Sequence, residues 1–254
     1  MKVTFLGTGT SQGVPVIGCK CEICSSANQK DKRLRSSVLV SKNNKNLLVD
    51  VGPDFRQQLL NNQIDDIHAI LLTHEHNDHI IGLDDVRPIN FLHKKNMSIY
   101  CVERVAKEVK TRFAYVFDHN PYPGAPRVEI NLINENDPFE IEGIEVMPIE
   151  VFHGSLSVLG FRFDDFTYIT DAKTFPETSI EKIKGSKVLV LNALHHREHH
   201  SHLNLKQAVD FIQLVQPEQA FLVHISHNMG LHDDVNNNLP KNVFLAYDGL
   251  TLEL

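Results

Sequence analysis

The heptapeptide THEHNDH, Thr73 to His79, follows directly on the apolar run AILL. Few features restrict a fold so tightly. In an extended segment alternate residues share a face, so His74, His76 and Asp78 point one way, while His79 turns inward as the next helix begins. Four metal-competent side chains thus converge at the end of one strand. Their mixture of imidazole and carboxylate suits two hard or borderline cations rather than one. The competing reading, a polar surface loop, does not account for so dense a set of ligands at this spacing.

The same residue type recurs in clusters. Of the 15 histidines in 254 residues, His195, His196, His199, His200 and His202 form one run, and His224, His227 and His232 another. Histidine is the commonest protein ligand for transition metals. Near the N-terminus GCKCEIC brings Cys19, Cys21 and Cys24 together, and the remaining Cys101 lies in an apolar run as a core residue. In a reducing compartment, close-set cysteines hold metal more often than they pair as disulfides. The opening MKVTFLGTGTSQG lacks the regions of a secretory signal, and no apolar run approaches the roughly 20 residues of a membrane span. The expected location is therefore the cytoplasm, with no membrane partner. A net charge of -7 has the wrong sign for gripping long nucleic acid over a broad surface.

With 42% hydrophobic residues the chain can bury a sizeable core, and without repeat or composition break it reads as one domain over 1–254. KVTFLG, SSVLVS, NLLVDVG and IHAILLTH read as strands, and PDFRQQLLNN as a short helix with proline in its first turn. DHIIGLDDVRPINFLH reads as helical from about His79, with Asp78 available as N-cap and Pro88 expected to kink or break it. After MSIYCV, ERVAKEVKTRFAYVF is helical; residues 128–170 then form successive strands with EG and DD as turns. Helices SIEKIK and NLKQAVDFIQLV alternate with strands KVLVLN, QAFLVH and NVFLAYDGLTLEL. Strand blocks interleaved with helices at both ends predict an α+β fold, a four-layer αββα sandwich. The G-x-G of FLGTGTSQG lacks the following helix and the later acidic residue of a dinucleotide fingerprint.

The pattern H-x-H-x-D-H after a buried strand resembles the signature of the metallo-β-lactamase superfamily, and the resemblance covers most of the chain. It implies three further ligands from strand ends, matched in order by His153 in EVFHGS, Asp171 in TYITDAK and His224 in FLVHIS. By that resemblance His74, His76 and His153 surround one metal, Asp78, His79 and His224 the other, and Asp171 bridges both. A lone histidine or aspartate is more often a core, turn or cap residue; the order and strand-end placement favour ligands. Asp50 in LLVDVGPD is expected to support a ligand histidine. Within the superfamily, C-x-C-x-x-C together with HISH resembles the PhnP group, cyclic-phosphate phosphodiesterases of bacterial phosphonate utilisation. There three cysteines and one histidine hold a structural zinc, a closed Cys₃His set. The matching residues are Cys19, Cys21, Cys24 and His227, and FLGTGTSQGVP, GLDDVRPIN and AYDGLTLEL fit the same group.

The implied activity is hydrolysis of a small phosphodiester, such as a ribosyl cyclic phosphate, by a hydroxide shared between two metals. Zinc, manganese and nickel all suit such ligands. Asp78 and a proton donor to the departing alkoxide would be the catalytic groups, and HHREHHSHLNL offers two donors. Alignment on LNL favours His200 first, while neighbouring members of the superfamily favour His202. His195, His196 and His199 read as a solvated tract. A tRNA 3′-processing nuclease, or a thioester, ester or lactam hydrolase, would share the metal core. A noncatalytic metal-binding protein would leave seven filled ligand positions unexplained. The oligomeric state, a homodimer included, stays open.

Overall fold

The strands are short, and most are apolar on both faces, as buried strands between two layers must be. The computed structural model describes residues 1–254. Its first sheet contains β1 (Lys2–Gly7), β2 (Ser37–Lys42), β3 (Lys45–Val49), β4 (Ala69–Leu71), β5 (Met97–Cys101) and β6 (Val128–Leu132). The second contains β7 (Phe139–Ile141), β8 (Ile144–His153), β9 (Leu156–Phe163), β10 (Phe166–Tyr168), β11 (Val188–Asn192), β12 (Gln219–Val223) and β13 (Val243–Leu245). The last strand, β14 (Thr251–Glu253), returns to the first sheet and pairs antiparallel with β1. The terminal apolar segment expected as one strand is therefore split between two sheets, because a turn at Asp248–Gly249 redirects it.

Eight helices flank the sheets: α1 (Glu22–Ser25), α2 (Phe55–Asn61), α3 (Asn77–Ile80), α4 (Arg87–His93), α5 (Glu103–Arg112), α6 (Glu177–Ile183), α7 (Leu205–Val215) and α8 (His232–Asn237). Alternate residues sort by face. Val38, Val40, Leu47, Val49 and Leu71 meet Phe161, Phe163, Phe166 and Val190 between the sheets. Leu39, Leu48, Ile70 and Ile99 pack outward on Phe55, Ile89 and Val105 of α2, α4 and α5. Leu189, Leu191 and Leu222 do the same against Ile183, Phe211 and Ile212 of α6 and α7. The result is the expected αββα sandwich. No helix is long and apolar enough to cross a membrane.

Both sheets change direction partway. β1–β2–β3 and β7–β8–β9–β10 are antiparallel, whereas β3–β4–β5–β6 and β10–β11–β12–β13 are parallel. In such sheets the crevice beyond the carboxyl ends of the parallel strands is where ligands bind.

Two local expectations are corrected. The helix expected from His79 is broken, but ahead of Pro88: α3 gives way to a 3₁₀ stretch over Ile81–Val86 and then α4, with Pro88 in its first turn. Nor does Asp78 cap α3; His76 occupies the N-cap position without a side-chain capping bond, and Asp78 lies in the first turn. Close backbone threading interrupts the helix. A Cβ at Gly82 would lie 2.0 Å from the Gly52 carbonyl oxygen, and one at Gly52 would lie 2.1 Å from that of Asp78. By contrast α7 starts where NLKQ implies, on an Asn204–Gln207 capping box. α8 was not foreseen, because HDDVNN offers no apolar stripe.

Candidate metal centre

Each strand end that the sequence singled out delivers its side chain to one crevice between the sheets. β4 leads into Thr73–His79, β8 ends on His153, β10 precedes Asp171 and β12 precedes His224. Asp50, Asp171 and His224 all take left-handed backbone conformations, with φ of 63°, 58° and 56°. Non-glycine residues enter that region at a cost, and such residues gather at functional sites. Here the turn swings a side chain out of the strand's pleat.

The histidines are oriented from behind. Asp50 is fully buried and accepts from the Thr73 amide (2.9 Å), the Thr73 hydroxyl (2.9 Å) and Nδ1 of His79 (2.7 Å). With its proton directed to Asp50, the Thr73 hydroxyl oxygen accepts from Nδ1 of His74 at 2.9 Å. His153 donates from Nδ1 to the Ser201 carbonyl at 2.8 Å. All three rings therefore keep Nε2 free to ligate, the usual arrangement for metal-binding histidine. The Thr170 hydroxyl similarly holds Oδ2 of Asp171 at 2.6 Å.

The free atoms then meet. His74 Nε2 lies 2.9 Å from His76 Nδ1. His79 Nε2 is 3.2 Å from Asp78 Oδ2 and 3.3 Å from Asp171 Oδ2, while His224 Nε2 is 3.1 Å from Asp171 Oδ1. Asp171 thus stands between His79 and His224 with one oxygen toward each. The rings of His74 and His76 lie 6.0 and 5.3 Å from that of His153. His76 is exposed and His153 half-buried, so the crevice opens on their side.

A metal's fit can be tested on atoms and on charge. His79 Nε2 and both ring nitrogens of His224 are buried without a hydrogen-bond partner, a costly state unless something fills the space they face. Burial opposes the charged form of His79, yet Asp171, Asp78 and Asp50 outweigh it and hold its pKa well above the ordinary range. Burial likewise works against ionised Asp171 and Asp78, but the surrounding imidazoles hold both carboxyls well below the usual carboxylate range. Burial drives His74 the other way, keeping it neutral. Three carboxylates thus concentrate negative charge on a pocket of ligating nitrogens, and divalent cations fit it on both counts.

Of the two proton donors expected from sequence, the structure brings His202 rather than His200 to the crevice. His202 is buried, its ring 4.4 Å from that of His153 and 4.7 Å from that of His224, with Nδ1 3.9 Å from Asp171 Oδ1 and no hydrogen-bond partner. Burial, assisted by His224, lowers its pKa to about 2. His200 is exposed and stacks on His199 instead. The chain turns between Ser201, which supports His153, and Asn204, which caps α7, and that turn directs position 202 inward and position 200 outward.

A second cluster lies beside the first. The Sγ atoms of Cys19, Cys21 and Cys24 stand 3.4, 3.5 and 3.5 Å from His227 Nδ1. A tetrahedron with metal–sulfur bonds of about 2.3 Å and metal–nitrogen bonds of about 2.0–2.1 Å has sulfur–nitrogen edges of about 3.5 Å. The thiols are electrostatically unequal. The Cys24 amide draws the pKa of Cys21 down to about 6, while burial pushes Cys24 up to about 11. Cys101 is buried in the core, its pKa raised to about 12. His227 and His224 sit on one short segment, which the N-terminal loop grips through Ile225 N to Thr8 O (3.0 Å) and Thr10 N to Ile225 O (3.1 Å).

What sequence reasoning missed are the hidden supports, Thr73, Thr170 and the Ser201 carbonyl. Single threonines and serines carry no spacing signal; adjacency to a ligand at Thr73 and Thr170 was the only clue.

Comparison with known proteins bears on the same residues. The model of the beta-lactamase superfamily domain matches residues 45–225. The solved structure of a diphosphatase from the PhnP family superposes with a TM-score of 0.93 at 38% identity, covering 100% of this chain and 97% of that one. Zinc-bound PqqB from Methylobacterium extorquens superposes with a TM-score of 0.82 at 21% identity, covering 100% of both chains, a likeness of fold. An octanoyltransferase of Porphyromonas gingivalis is 39% identical over 252 residues, 98% of this chain but 51% of that protein. The chain thus spans about half the length of that relative.

Proposed function

The chain belongs to the metallo-β-lactamase superfamily, within its PhnP-like group, and on that premise we propose that it is a two-cation hydrolase of small phosphodiesters. The observation that carries this reading is the gathering of ligating atoms about Asp171: His79 and His224 each lie within 3.3 Å of one of its oxygens, Asp78 stands beside His79, and His74 is near enough to share an ion with His79 and Asp171. By the family resemblance His74, His76 and His153 would hold one cation and Asp78, His79 and His224 the other, with Asp171 common to both. The whole-length likeness to a PhnP-family diphosphatase supports a phosphorus centre as the target. Cys19, Cys21, Cys24 and His227 are the ligands of a structural zinc.

Two divalent cations held by these residues would supply an activated water and neutralise charge developing on the phosphoryl oxygens. The chain's own residues do the rest. Asp50 and Thr73 fix the tautomers of His79 and His74, so that neither ring turns when substrate arrives. His202, with its ring 4.4 Å from that of His153 and 4.7 Å from that of His224, is the residue placed to pass a proton to the departing alkoxide. The exposed side at His76 admits the substrate. A net charge of -7 and the lack of a basic insertion favour a small diester over precursor tRNA.

One observation favours a second reading, a thioesterase. A relative spanning this chain's length within a protein about twice as long is named an octanoyltransferase. Metal analysis combined with a panel of an aryl phosphodiester, 2′,3′- and 3′,5′-cyclic nucleotides, ribosyl cyclic phosphate, a diphosphate, precursor tRNA, an octanoyl thioester and a lactam separates the readings. Hydrolysis of small diesters alone supports the first. Turnover of the thioester with inert diesters overturns it.

A further inference from the structure

His74 and His76 flank Glu75, and in an extended segment the middle residue points to the opposite face. There it meets α5: Arg104 Nη1 pairs with Glu75 Oε1, and Arg112 Nη1 donates to the Glu75 carbonyl. The same Arg104 guanidinium donates from Nη2 to the Ser157 carbonyl at 2.5 Å. Ser157 lies on β9 in register with Phe152 of β8, next to the His153–Leu156 pair that closes the hairpin. One side chain therefore grips the segment that carries His74 and His76 and the β8–β9 hairpin at whose turn His153 stands. Its hydrogen bonds reach neither the Asp78–His79 turn nor the segment of His224.

Arg104 is also the cation paired with Glu75, whose second carboxylate oxygen is buried without a partner. Removing it would leave a largely buried carboxylate uncompensated beside two ligands. The Leu159 amide, 3.0 Å from the Thr73 carbonyl, already ties the same two segments, but a backbone bond there does not fix the direction of Glu75. The planar fork of arginine serves two acceptors at once, whereas a lysine is a single point charge.

We propose that Arg104 is a positioning residue that sets the His74–His76 pair against His153, and so governs the affinity of the cation those three hold. The cation of Asp78, His79 and His224 is governed separately. The proposal rests on the two-cation reading above.

Cobalt titration of metal-stripped protein against a competing chelator, followed by visible absorption, resolves the uptake steps; sulfur-to-metal charge transfer marks the Cys₃His set. In Arg104→Ala one nitrogen–oxygen step weakens about 10- to 100-fold, while the other stays within about threefold, and Arg104→Lys does not restore the loss. Should the alanine variant fail to fold, Arg104→Gln carries the same test. Equal weakening of both steps, no weakening of either, or recovery by lysine overturns the proposal. A wild-type protein with fewer than two nitrogen–oxygen steps refutes instead the reading on which it rests.

Discussion

The two clusters of ligating side chains are neighbours, yet they are built differently. The crevice draws its ligands from strand ends of both sheets and buries most of them. Asp50, Thr73, Thr170 and the Ser201 carbonyl then fix their orientations through hydrogen bonds independent of any ion. The Cys₃His cluster takes three of its four ligands from one turn of the N-terminal loop, and only Cys24 among them is buried. Its thiols are held by little beyond each other, two backbone amides and His227. The fold therefore organises the first cluster in advance, whereas the proposed Cys₃His site would depend on an ion for its shape.

The sharpest break of this contrast is His79→Ala. Because His79 joins Asp50 to Asp78 and Asp171, its loss should abolish uptake in the crevice and lower kcat by more than about 100-fold, beyond the range for a supporting partner. Circular dichroism should still report a folded sandwich with its Cys₃His ion. Unfolding of the variant would mean that the crevice is not organised by the surrounding fold.

Next in size is the proton donor. His202→Ala should lower kcat by about 10²- to 10⁴-fold with metal content unchanged, while His200→Ala stays within about twofold. Steady-state kinetics with metal analysis on both variants checks this, and a large loss for His200→Ala alone would reverse the assignment.

Damage to the second cluster should be milder and local. In Cys24→Ser one zinc is lost, proteolysis opens the segment between β1 and β2, and the melting temperature falls by about 2–4 °C for each kcal/mol of lost stability. Limited proteolysis followed by mass spectrometry locates the cuts. Cuts scattered through both sheets would show that the loop's ion organises more than the loop.

The smallest effect concerns Asp248, which holds the N-terminal segment through Thr8 and Leu34. Asp248 accepts from the Thr8 hydroxyl (2.7 Å) and the Leu34 amide (2.6 Å), and burial pushes its carboxyl pKa up to about 6. Folded protein then holds this proton more tightly than unfolded chain, so the contribution is complete below the ordinary carboxylate range and lost as pH rises through about 6. Retained solvent contact reduces it to on the order of 1–2 kcal/mol. Denaturant midpoints between pH 4 and 7 should fall across that window in the wild type and flatten in Asp248→Asn. Equal slopes in both would remove Asp248 from the account.

Much of this was legible in the sequence because ligation demands particular side chains at strand ends. THEHNDH, His153, Asp171 and His224 announce themselves by chemistry and by the apolar runs before them. GCKCEIC and HISH do so by density. What stayed hidden depends on contacts distant in sequence. The helix from His79 is broken by the approach of Gly52 and Gly82, which no local propensity encodes. The choice between His200 and His202 turns on which way a tight turn faces, and the final apolar segment divides at a turn that hydropathy does not register.

The most direct measurement is anomalous diffraction, at the absorption edges of the candidate metals, from crystals grown with abundant divalent cations. The account predicts two peaks about 3.5–4 Å apart on either side of Asp171, and a third, zinc alone, inside Cys19, Cys21, Cys24 and His227. A single peak or none in the crevice, with Asp171 contacting no ion, would contradict it.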